Sequence, residues 1–80
     1  MTIFKSIGTL LDVEVFVALP ENPTEPAYSF CKFKGKPIAT DLVTFSRELW
    51  DDHDTLELCF INSIGDGISV ALQKQLITKE

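Results

Sequence analysis

Leu11, Val13, Val15, Val17 and Leu19 hold alternate positions in the stretch LDVEVFVAL, with Asp12 and Glu14 between them. A period of two, rich in β-branched residues, marks a half-buried strand. Pro20 ends it. Upstream, TIFKSI at residues 2–7 suits an edge strand, and Gly8-Thr9 reads as a turn or bulge. The N-terminal part is therefore either a hairpin or one long bent strand. Alternation returns at Tyr28–Lys34, with Tyr28 and Phe30 on one face and Cys31 and Phe33 on the other. Lys32, Lys34 and Lys36 extend the Tyr28 face, a lysine row of the kind that blunts sheet edges.

The loop PENPTEP joins these runs, with prolines at 20, 23 and 26. It lacks the Arg, Lys or aromatic anchor of a polyproline ligand, so it reads as a stiffened surface loop. Residues 40–50 predict a helix. Thr40 stands as N-cap, Asp41 lies in the first turn, and Leu42, Phe45 and Leu49 make the buried stripe, widened by Val43 and Trp50. Thr55–Asn62 then alternates Leu56, Leu58 and Phe60 inward. Asp66-Gly67 signals a hairpin, and Ile68, Val70 and Leu72 return as its second strand. Ile68, Leu72 and Leu76 also fit helical spacing, which leaves residues 70–78 open between strand and helix.

These elements predict an α+β fold in the order β-β-α-β-β. The expected packing is two-layered, an antiparallel sheet of about four strands with one helix on one face. Phe16 and Ala18 point to the other face if Val13, Val15 and Val17 face the helix. An apolar second face on so small a domain suggests dimerisation or docking.

Eighty residues bound the chain to one expected domain, 1–80. A chain of this length buries roughly 60–65% of the surface its unfolded form exposes. No uninterrupted apolar run approaches the roughly 20 residues of a membrane span, and no signal peptide is recognisable. A cytoplasmic protein is expected. Cys31 and Cys59 are the cysteines, too few for a zinc site, and they read as reduced thiols near the core, with their pairing left open.

Asp51, Asp52, His53 and Asp54 are the one cluster with ligand-type atoms, but consecutive residues do not converge on one ion. A Cys59–His53 nucleophile pair would lack an oxyanion hole, and no glycine-rich phosphate loop is present. Neither an enzyme nor a cofactor or metal is expected.

Charge adds more. The chain carries twelve acids against seven bases, a formal net charge of −5. Seven of the acids lie between residues 40 and 66, where Arg47 is the sole base. Such a balance disfavours nucleic acid as a direct ligand and suits a basic protein partner. With no apolar run of spanning length, no membrane partner is expected. Glu48, Trp50, Asp51, Asp52 and Asp54 form the expected partner-binding ridge, an acidic surface with an aromatic anchor. By size and charge alone, the chain compares with phage-encoded inhibitors of nucleic-acid-handling host complexes. The expected function is a small, acidic, non-enzymatic binding module that inhibits or regulates a larger partner. The alternative is an assembly protein that forms a homodimer or larger oligomer through its sheet.

Overall fold

A computed structural model describes residues 1–38, 40–74 and 76. Its strands are β1 (Ile3–Leu10), β2 (Val13–Leu19), β3 (Ala27–Phe33), β4 (Lys36–Pro37) and β5 (Val43–Phe45). A 3-10 turn at Arg47–Leu49 leads to the helix α1 (His53–Gln73). The fold is α+β, an antiparallel sheet with one helix packed on it, as the sequence predicts. The element order is different, because every strand precedes the helix.

β1 and β2 form a hairpin whose two-residue turn, Leu11-Asp12, has both residues at positive φ (52° and 66°). Leu11 therefore belongs to the turn, and the alternation is strand only from Val13. The register shifts between Ser6 and Gly8, a bulge at Ile7. A second turn with both central residues at positive φ, Lys34 (49°) and Gly35 (83°), joins β3 to β4. β4 and β5 both pair with β3 along one edge, Lys32↔Pro37 in one register and Tyr28↔Thr44 in another. Together they are one edge strand interrupted by a slip.

Two expectations fail here. Residues 40–50 are not a helix: Val43, Thr44 and Phe45 complete the free edge of β3, a role that suits β-branched and aromatic side chains. Leu42 and Leu49 are 58% and 40% exposed, so the expected stripe is not buried. Nor do residues 55–62 and 68–72 form strands, for both lie in α1. Its N-cap is Asp52, whose carboxylate accepts from Thr55 N at 2.9 Å and Thr55 Oγ1 at 2.7 Å. Within the open stretch 70–78, residues 70–73 are helix, while Gln75, Ile77 and Thr78 lie outside the described residues.

Alternation along β2 and β3 sends Val13, Val15, Ser29, Cys31 and Phe33 to α1, which answers with Ile64 and Ala71. A fully buried valine contributes about 1.5–3 kcal/mol, so β2 anchors the core. Small residues set the spacing of the two layers. A Cβ on Gly8 would strike the Phe60 ring, and one on Gly67 would lie 2.7 Å from Val13 Cγ1. In the same interface, Ser29 Oγ and Ser63 Oγ share a 2.7 Å hydrogen bond, and Cys31 Sγ donates to the Ser63 carbonyl at 3.1 Å.

The proline loop is held from outside the sheet. Arg47 Nη1 donates to the carbonyls of Pro20 (2.7 Å), Asn22 (3.3 Å) and Glu25 (3.1 Å). Asn22 Oδ1 also accepts from Thr24 N at 3.0 Å, an Asx turn that fixes the loop tip.

Candidate functional site

The face of the sheet turned away from α1 carries the most distinctive surface of the molecule. Alternation places Phe16 and Ala18 of β2 there, with Tyr28, Phe30 and Lys32 of β3 beside them. The β1 register adds Phe4, opposite Ala18. Phe16 and Phe30 are cross-strand partners with rings stacked 5.5 Å apart. Phe4 meets Phe30 edge-on at 5.9 Å, and Tyr28 lies at 6.0 Å from the same ring. Phe30 is thus the centre of a four-ring cluster, a geometry worth about 0.5–1.5 kcal/mol per pair beyond burial.

The cluster is only partly covered by the chain's own atoms, with Phe4 54% and Leu42 58% exposed. Phe4, Phe16, Tyr28, Phe30, Lys32 and Leu42 line a shallow depression of about 400 Å³. A second depression, about 260 Å³, adjoins it through Tyr28 and Leu42 and reaches Pro20, Pro26, Thr44 and Glu25. The result is one apolar groove with Lys32 at one end and Glu25 at the other. Lys32 Nζ lies 5.1 Å from the Phe16 ring centre.

The sequence-predicted ridge falls on the turn that leads into α1, and most of its residues have partners within the chain. Asp51 accepts from Lys5 Nζ at 2.9 Å, and the same ammonium lies 4.7 Å from the Trp50 ring centre. Asp52 caps α1, and the hydrogen bonds from Thr55 hold its carboxyl below the ordinary carboxylate range. Asp54 lies in the first turn, where the helix dipole favours an acid. Glu48 is exposed in the 3-10 turn. These acids stand at the start of a helix, whereas the pattern at 40–50 would set them against a helix end. The structure brings the five residues into one segment and adds Lys5 among them.

His53 and Cys59 do not meet as a pair. The His53 side chain is 89% exposed, its Nδ1 3.7 Å from Asp54 and 4.0 Å from Glu57. Cys59 and Cys31 are buried and free, and burial pushes both thiols up from their ordinary value. Among the described residues no group of three or more His, Cys, Asp or Glu side chains is placed to hold a metal ion. A further depression of about 340 Å³, lined by Ile7, His53, Leu56, Glu57 and Phe60, lies between β1 and α1. By length and composition alone α1 is apolar enough to cross a membrane, with a mean hydropathy of 1.3 over its best 18-residue window.

The aromatic groove was half visible in the sequence. Phe16 and Ala18 are readable as a second face, but Phe4 joins them only through the β1 register. Leu42 arrives through an edge strand that the helical spacing of 42, 45 and 49 conceals. No protein-family model, curated protein or solved structure matches the chain.

Proposed function

We propose that this protein is a small, acidic, non-enzymatic protein-binding module whose docking surface is the outer face of its sheet. The observation that carries this reading is the cluster of Phe4, Phe16, Tyr28 and Phe30, left open beside Leu42 on the side away from α1. Aromatic side chains supply much of the energy at protein interfaces, and large contiguous apolar patches on a small domain mark interaction sites. The net charge of −5 weighs against nucleic acid as the ligand of these rings.

Site-specific photo-crosslinking tests the reading. A photoreactive residue at Leu42 should give a protein adduct of discrete mass, to a like chain or an unlike one, while the same group at Ser69 of α1 gives none. Equal labelling at both positions, or none at Leu42, refutes it.

The exposed acids Glu48, Asp51, Asp52 and Asp54, gathered on one segment, favour a second reading. In it, the ridge binds a larger partner with a basic surface and inhibits or regulates it, a nucleic-acid-handling complex being the kind its charge suits. Because Asp52 caps α1, the informative variant is Glu48→Lys with Asp54→Lys. That pair should abolish capture of such a partner while the fold persists. Retained capture dismisses the ridge.

A further inference from the structure

We infer that the occupant of the aromatic groove is a second copy of this chain, the two sheets packed outer face to outer face about a two-fold axis that crosses the strands near Tyr28. This rests on the reading of that face as the docking surface and names its partner.

The charges on the groove make it self-complementary. Lys32 closes one end and Glu25 the other, and Tyr28, shared by both halves, lies between them. A two-fold axis crossing the strands at Tyr28 runs each β3 antiparallel to its partner's. Each Lys32 then meets the other copy's Glu25. Glu14, opposite Lys32 in register, accepts from the Ser6 hydroxyl at 2.7 Å. The Lys32 ammonium sits instead over the Phe16 ring, 5.1 Å from its centre, at the rim of the groove where a second copy would meet it. The central contacts are ring on ring, the arrangement of a β-sandwich whose sheets lie about 10 Å apart. Arg47 keeps Glu25 in place, since its guanidinium binds the Glu25 carbonyl from beside the sheet.

The size of the face sets the strength of the contact. Four strands of about seven residues span about 19 Å by 23 Å, or roughly 440 Å² before surface texture is counted. A stable interface buries about 800 Å² per partner. The expected dimer is therefore reversible and concentration-dependent, with association in the micromolar range or weaker.

Analytical ultracentrifugation of the full chain, from low micromolar to near-millimolar concentration, tests this. The wild type should show a reversible monomer–dimer equilibrium. Leu42→Asp should abolish it. Lys32→Glu or Glu25→Lys alone should weaken it about tenfold, since each turns two symmetry-related attractions into repulsions. The double charge swap, Lys32→Glu with Glu25→Lys, should recover most of that loss. All four substituted forms change exposed or part-exposed side chains, and circular dichroism checks that each still folds. A monomer at every concentration overturns the dimer. A dimer indifferent to Leu42→Asp, or single swaps that the double fails to rescue, overturns this geometry. Failure of the dimer remains separable from failure of the docking surface: an unlike protein crosslinked at Leu42, with a monomeric wild type, sinks the first and keeps the second.

Discussion

Gly67 of α1 approaches Val13 of β2 so closely that a Cβ on the glycine would lie 2.7 Å from Val13 Cγ1 and 3.0 Å from Cys31 Sγ. Gly65, two residues earlier on the same helix, has nothing within 4 Å of its own virtual Cβ. The same substitution should therefore act in opposite directions. Gly65→Ala should stabilise by about 0.5–1 kcal/mol, the usual gain of alanine over glycine within a helix. At Gly67 that gain is outweighed by overpacking, which costs about 1–3 kcal/mol. Urea denaturation of both variants decides it, and a stabilised Gly67→Ala would mean that the layers are not in close contact.

The hydroxyls of Ser29 and Ser63 satisfy each other in an apolar interface where they are 0% and 3% exposed. Ser29→Ala or Ser63→Ala alone strands one hydroxyl and should cost about 1–3 kcal/mol. Replacing both should recover much of that cost, since no unpaired donor remains. A double-mutant cycle with purely additive losses would show that the two side chains are not coupled.

Leu11 occupies left-handed space with its side chain 57% exposed, so its conformation is strained and its burial slight. Leu11→Asn should stabilise by about 0.5–1 kcal/mol, because asparagine tolerates positive φ in two-residue hairpins. Leu11→Val should destabilise, as a β-branched residue fits that region worst. Thermal melts that rank valine above asparagine would place the turn elsewhere.

The Asp52 cap gives the fold a pH signature. Hydrogen bonds from the Thr55 side chain and backbone lower its folded pKa beneath the unfolded value of about 3.9. Its contribution is therefore complete above about pH 4 and is lost as pH falls through the lower, folded value. Asp52→Asn keeps a capping oxygen but removes that titration. Denaturation midpoints of the two proteins, followed from neutral to acid pH, should converge on the acid side. Parallel curves would show that the carboxylate is not the capping group.

Strands were legible in this chain where side chains alternate in kind. Val13, Val15 and Val17 against Glu14 and Phe16 show the two faces of β2, and Tyr28, Phe30 and Lys32 show the outer face of β3. α1 was obscured by the residues that let it pack. Its inward positions run 56, 59, 60, 63, 64, 67, 68 and 71, a helical period in which Cys59, Ser63, Gly67 and Ala71 are small. A search for large apolar side chains finds instead the alternation of Leu56, Leu58 and Phe60, then a turn at Asp66-Gly67. Leu58, placed inward by the strand pattern, is 62% exposed on the outer side of the helix. The acidic segment stood out in the sequence, but its meaning waited on which helix it belonged to. The aromatic groove depended on strand register, which local pattern does not carry.

Because every strand precedes α1, the residues of the sheet are all synthesised before those of its cover. Without α1 the sheet carries apolar side chains on both faces, with Val13, Val15 and Phe33 on one and the ring cluster on the other. The helix His53–Gln73 thus decides which side becomes interior, and the aromatic side is the one it leaves uncovered.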